Sequence, residues 1–113
     1  MRMCVPVLIL SLAASPALAA GGASNFTIVN GTDGSLGGLS IRRAGTQGWK
    51  PLGSAPAAGA RGAISFSDPD CAFDLQANVA GKPVTWTSVN LCDVKSVTLR
   101  RDTSAGAWVD YDQ

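Results

Sequence analysis

Cys71-Ala72-Phe73-Asp74-Leu75-Gln76-Ala77-Asn78-Val79 decides the fold class. Cys71, Phe73, Leu75, Ala77 and Val79 occupy alternate positions, with Ala72, Asp74, Gln76 and Asn78 between them. Successive side chains of an extended chain point to opposite faces, so the stretch has one apolar and one polar face. That is the pattern of a half-buried antiparallel strand.

Upstream, Asp68-Pro69-Asp70 reads as a turn, because proline lacks a backbone donor and aspartate bonds its own backbone. Before it, Ala60 to Ser67 reads as a strand with Ile64 and Phe66 inward. Ser54 to Gly59, with Pro56, reads as a loop, as does Gly45 to Gly53, which carries Trp49. Leu39 to Arg43 and Asn25 to Asn30 read as strands, separated by a glycine-rich turn over Gly31 to Gly38. Downstream, Val84 to Asn90, Val94 to Arg101 and Ala107 to Tyr111 complete the set, with Trp86 in the core. No segment keeps a 3.6-residue apolar period, and Glu is absent from the chain. Short strands at regular spacing predict an antiparallel β-sandwich of six to seven strands, with a small closed barrel as the alternative.

The first 19 residues have a different character. Arg2 precedes an apolar run from Val5 to Ala14, and Ala17 and Ala19 fit a cleavage site. This predicts a signal peptide over 1–19, a flexible lead over 20–24 and one β-domain over 25–113. The apolar run is too short to span a bilayer, so no membrane span is expected after cleavage. The predicted localisation is periplasmic or secreted. Without Cys4 the chain keeps Cys71 and Cys92, which predicts a single disulfide in an oxidising compartment. Closing that loop adds roughly 3 kcal/mol in the chain-entropy model.

Composition excludes several chemistries. The chain has a net charge of +1, which argues against a nucleic-acid binder. With no His, neither a Ser-His-Asp nor a Cys-His arrangement can form, and histidine metal sites are excluded. The glycines between Gly31 and Gly38 lack the spacing of a phosphate-binding loop. No enzyme activity is expected.

Three groups of residues are candidates for function. Asp68, Asp70, Asp74 and Asp93 lie close in sequence to the two cysteines, and with Asn90 they offer hard oxygen ligands for calcium, the one cofactor considered. Trp49 and Trp108 lie near glycine-rich loops and are candidates for partner binding. The doublets Arg42-Arg43 and Arg100-Arg101 suit an anion patch or charged strand edges. Asn25-Phe26-Thr27 and Asn30-Gly31-Thr32 match the N-glycosylation sequon.

Phe26-Thr27-Ile28-Val29-Asn30 with Gly31, Gly48-Trp49, Leu52-Gly53, Cys71-Ala72-Phe73-Asp74-Leu75 and Asn90-Leu91-Cys92 together resemble a family. It comprises small exported proteins of Gram-negative bacteria. They have an F-x-(I/V)-x-N strand, a tryptophan loop, a C-x-aromatic-D strand and a closing (D/N)-L-C. Gly48-Trp49 stands here where that family more usually has Trp-Gly. The resemblance implies a periplasmic β-domain and supplies no activity. The leading expectation is a non-enzymatic exported domain that binds an envelope or extracellular protein, peptide or glycan. The alternatives are a calcium-stabilised module and an inhibitor of an extracellular hydrolase acting through the Gly45 to Gly53 loop.

Overall fold

The computed structural model describes residues 22–53 and 55–112. The predicted signal peptide, and residues 20–21 of the lead, lie outside the described residues. Eight strands follow one another: β1 (Phe26–Asn30), β2 (Leu36–Arg43), β3 (Lys50–Pro51), β4 (Arg61–Ile64), β5 (Ala72–Val79), β6 (Lys82–Asn90), β7 (Ser96–Asp102) and β8 (Gly106–Asp112). They form two four-stranded sheets, ordered β4-β1-β7-β8 and β3-β2-β5-β6. The domain is therefore an all-β sandwich and not a closed barrel.

β5 behaves as its alternation requires. Phe73, Leu75, Ala77 and Val79 are buried, and Ala72 and Asn78 are exposed. β2 and β6 flank it, both antiparallel. Phe26 and Ile28 of β1 and Val97 and Leu99 of β7 join the same apolar cluster from the other sheet. Each such side chain contributes about 1.5–3 kcal/mol on full burial, so this layer dominates stability. Trp86 belongs to it, and its indole N–H donates to the Arg100 carbonyl at 2.8 Å, joining β6 to β7 across the sandwich.

The bridge between Cys71 and Cys92 spans 21 residues with a Cα–Cα distance of 5.1 Å. The Leu91 N–H donates to the Cys71 carbonyl beside it. The bridge thus clamps the start of β5 to the chain leaving β6, two neighbours in one sheet.

Several features depart from the sequence reading. β2 begins at Leu36, inside the predicted glycine turn. Leu36 and Gly37 already pair with Val79 and Asn78, and the register slips between Gly37 and Ser40. Gly38, at φ +64°, takes the left-handed conformation inside this bulge. β3 is a two-residue strand within the predicted Gly45 to Gly53 loop. β1 pairs with β7 in parallel, Thr27 opposite Ser96 through Asn30 opposite Leu99, while β4 pairs with it antiparallel. A parallel pair needs a long crossover, which the intervening strands supply.

The lead over 20–24 is anchored where it is described. Ala23 is buried, and its N–H and carbonyl both bond the backbone of Asp68. Asn30 is wholly buried although polar. Its Nδ2 donates to the carbonyls of Gly34 and Pro56, at 2.8 and 2.9 Å, and its Oδ1 accepts from the Thr32 N–H and hydroxyl. Burying an amide is tolerable only when its hydrogen bonds are satisfied. Here they tie the β1–β2 turn to the loop before β4.

Candidate binding surfaces

Asp74 lies on the outward face of β5, where alternation sends polar side chains, yet it is only 5% exposed. Its Oδ2 accepts from Arg42 Nε at 2.9 Å and, at 3.5 Å, from the Gly45 N–H. Its Oδ1 accepts from the Ser88 N–H at 3.0 Å. Between Phe73 and Leu75, β6 carries one extra residue, because Val89 and Trp86 are their partners. Ser88 sits in that bulge at φ +54°. Asp74 thereby holds the bulge in place. Burial works against its charge, but the Ser88 N–H, the Arg42 guanidinium and the Gly45 N–H outweigh it and hold the carboxyl below the usual carboxylate range.

Trp49 completes this stack. The Arg42 guanidinium lies 4.5 Å from the centre of its ring. At that distance a cation–π contact contributes about 0.5–2 kcal/mol. Trp49 is therefore half-buried on Arg42, tied to the sheet.

The arginine doublets lie on β2 and β7, which are interior strands of their sheets, so they do not serve as charged edges. Alternation does split each doublet, and aspartates pair with Arg42, Arg43 and Arg100. Arg42 pairs with Asp74, Arg43 with both Asp68 and Asp70, and Arg100 with Asp110. The two doublets lie on different sheets, so the strand order does not bring them together as one patch.

The same pairings separate the four aspartates considered for calcium. Asp68 and Asp70 share the exposed Arg43, which is 25 residues or more away in sequence from its main partner Asp68. Partial burial works against the Asp68 charge, but the Asp70 N–H and Arg43 outweigh it and lower its pKa. Asp74 belongs to the outer stack. Asp93 is exposed, in the left-handed conformation at φ +61°. The Asn90 side chain accepts from the Cys92 N–H. Among the described residues, no group of three or more acidic or cysteine side chains is arranged to hold a metal ion.

A cleft of about 470 Å³ opens beside β3, between β2, its following loop and the chain around Phe66 and Asp68. Ile41, Phe66 and Phe73 line its apolar part, and Arg43, Lys50 and Asp68 its charged part. Phe66 stacks edge-on against both Phe26 and Phe73, which fixes the aromatic wall. The Arg43–Asp68 pair spends the strongest local charges on each other.

The opposite side of the sandwich differs. Trp108 and Tyr111 are exposed by 42% and 43%, and both belong to β8. Trp108 pairs with Arg100 and shares the outer face with Asp110 and Asp112, while Val109 and Tyr111 follow the buried Leu99 and Val97 toward the inner face. The Tyr111 hydroxyl accepts from the Asn90 N–H at 2.9 Å, so it spans from β8 to β6. Nothing in a short local window marks Tyr111 as a candidate, because Ala107 to Tyr111 reads simply as an edge strand. Asn25 is exposed with its Oδ1 taking the Phe66 N–H, whereas Asn30 is inaccessible to modification in the folded domain.

No protein-family model matches the chain, and no curated protein matches it in sequence. Its structure is similar to the NMR structure of a protein from Eubacterium rectale. The TM-score is 0.52 at 14% identity, covering 80% of this chain and 89% of that one. At that identity the likeness concerns the fold.

Proposed function

We propose that this protein is a non-enzymatic, exported β-sandwich that binds an envelope or extracellular partner through β8. One observation carries the reading: the large exposed apolar side chains among the described residues, Trp108 and Tyr111, lie on one edge strand. Trp108 stands on the outer face and Tyr111 on the other, so Trp108 is the anchor of the outer face, and tryptophan is among the residues that dominate interface energetics. Trp49, the other tryptophan considered for binding, is already engaged by Arg42. The signal-like first 19 residues and the single disulfide support export.

The test compares immobilised wild type with Trp108→Ala and Asn78→Ala in capture from periplasmic and cell-wall fractions. Asn78 is exposed on the other sheet and serves as control. A tryptophan anchor is worth about 2 kcal/mol or more, roughly thirtyfold in affinity. Retained species should vanish with Trp108→Ala and persist with Asn78→Ala. Equal retention by all three would sink the reading.

A further inference from the structure

We infer that β8 is a strand-addition site, and that its occupant is an extended protein segment with basic residues at alternate positions. This rests on the reading of β8 as the binding element and specifies its ligand.

The argument begins from how the sheet edges are protected. An unpaired edge invites other strands, and stable domains blunt it with short strands, proline, lysine or bulges. Three of the four edges have such devices. β3 is two residues long and consists of Lys50 and Pro51. β4 is four residues long and starts with Arg61. β6 starts with Lys82 and Pro83, and it is interrupted by the bulge at Ser88. The Tyr111 hydroxyl also occupies its Asn90 N–H.

β8 has no proline, lysine or bulge, and the charges it carries, Asp110 and Asp112, are both acidic. Its register with β7 runs unbroken from Ser96 opposite Asp112 to Asp102 opposite Gly106. Among the described residues no strand hydrogen-bonds its other side, although β6 of the facing sheet packs near it. It is thus a straight seven-residue template flanked by the exposed rings of Trp108 and Tyr111.

Charge selects the occupant. The ionised side chains on β8 are Asp110 and Asp112, which share the outer face with Trp108. Arg100 of β7 holds Asp110 at 2.8 Å, but both side chains are about half exposed, and so open a pair is weak enough for a partner's cation to share the carboxylate. A strand laid alongside would set its alternate side chains directly against this row. Basic residues there meet the Asp112 carboxylate, the Asp110 carboxylate shared with Arg100, and the indole of Trp108, all favourable neighbours. Its other side chains would meet Ala107, Val109 and Tyr111, which favour apolar groups. A second copy of this chain would bring the same acidic row and gain none of these charge pairs. Recognition of this kind draws affinity from backbone bonds and specificity from alternate side chains.

The experiment titrates the oxidised, isotope-labelled domain with three capped peptides of β8 length. One alternates Val with Lys, one alternates Val with Glu, and the third is the Val/Lys peptide with alternate backbone amides methylated. Amide shifts and exchange are followed by NMR. The Val/Lys peptide should bind, slow exchange of β8 amides and weaken with salt. The Val/Glu peptide should bind at least about tenfold more weakly. The methylated peptide should not bind on its blocked edge. The double variant Asp110→Lys with Asp112→Lys, at exposed positions, should reverse the preference between Lys and Glu. Binding that is indifferent to amide methylation on either edge, or to peptide charge, overturns the inference. Dimerisation through β8 without peptide also overturns it. If capture depends on Trp108 but no peptide binds, strand addition falls and the broader binding reading stands. If both fail, both fall.

Discussion

Replacing Asp74 with alanine tests whether the outer stack is a structural keystone. The substitution removes the acceptor for Arg42 Nε at 2.9 Å, the Ser88 N–H at 3.0 Å and, more weakly, the Gly45 N–H. Removing one member of a buried ion pair costs about 3–5 kcal/mol when the other is left buried. Arg42 is 24% exposed and keeps its contact with Trp49, so part of its charge is rehydrated. The Ser88 N–H loses its partner inside a bulge, at about 1–3 kcal/mol. The expected loss is therefore about 3 kcal/mol, or roughly 12–24 °C in Tm for a domain of this size. Urea unfolding of the oxidised protein reads it directly. Asp74→Asn preserves an acceptor for Ser88 and should cost about half as much.

The same carboxylate predicts a pH dependence. Its native pKa is lowered, so its stabilisation is complete above the unfolded-chain value of about 3.9. It is lost as pH falls from there through the native pKa. The Asn variant should lack that acid-dependent fall. A loss under about 1 kcal/mol for Asp74→Ala, or an unchanged acid profile for Asp74→Asn, would refute the reasoning.

Three further predictions concern stability. Asn30→Ala should cost about 2–4 kcal/mol by urea unfolding, because the carbonyls of Gly34 and Pro56 and the Thr32 N–H lose its amide. Trp86→Phe should cost about 2–3 kcal/mol by the same assay, from the lost bond to the Arg100 carbonyl and the smaller ring. Replacing Cys71 and Cys92 with serine should lower stability by roughly 3 kcal/mol, and reducing agent should then leave the Tm unchanged.

The strands that alternation marks plainly were legible in the sequence. β5 is the clearest, and the buried Trp86 and the Cys71–Cys92 bridge followed from local pattern and count. What stayed hidden is non-local. Asp74 looks solvent-facing by alternation, and only the fold of residues 42–49 over β5 buries it. Asp68, Asp70 and Asp74 look like one cluster in sequence, but the split Arg42-Arg43 doublet draws them to two sites. The glycines at 37 and 38 signal a turn, yet their freedom serves a bulge inside β2. The parallel pairing of β1 with β7 leaves no local mark, because it joins segments about 70 residues apart. Trp108 reads as exposed near a glycine-rich loop, but its place on an edge strand required the strand order.

The central claim is that β8 meets a partner, and site-specific photocrosslinking in the native host addresses it most directly. A photoreactive residue at position 108 should give a discrete adduct of higher mass, while one at position 78, on the other sheet, should not. No adduct from position 108, or the same adducts from both positions, would contradict the account.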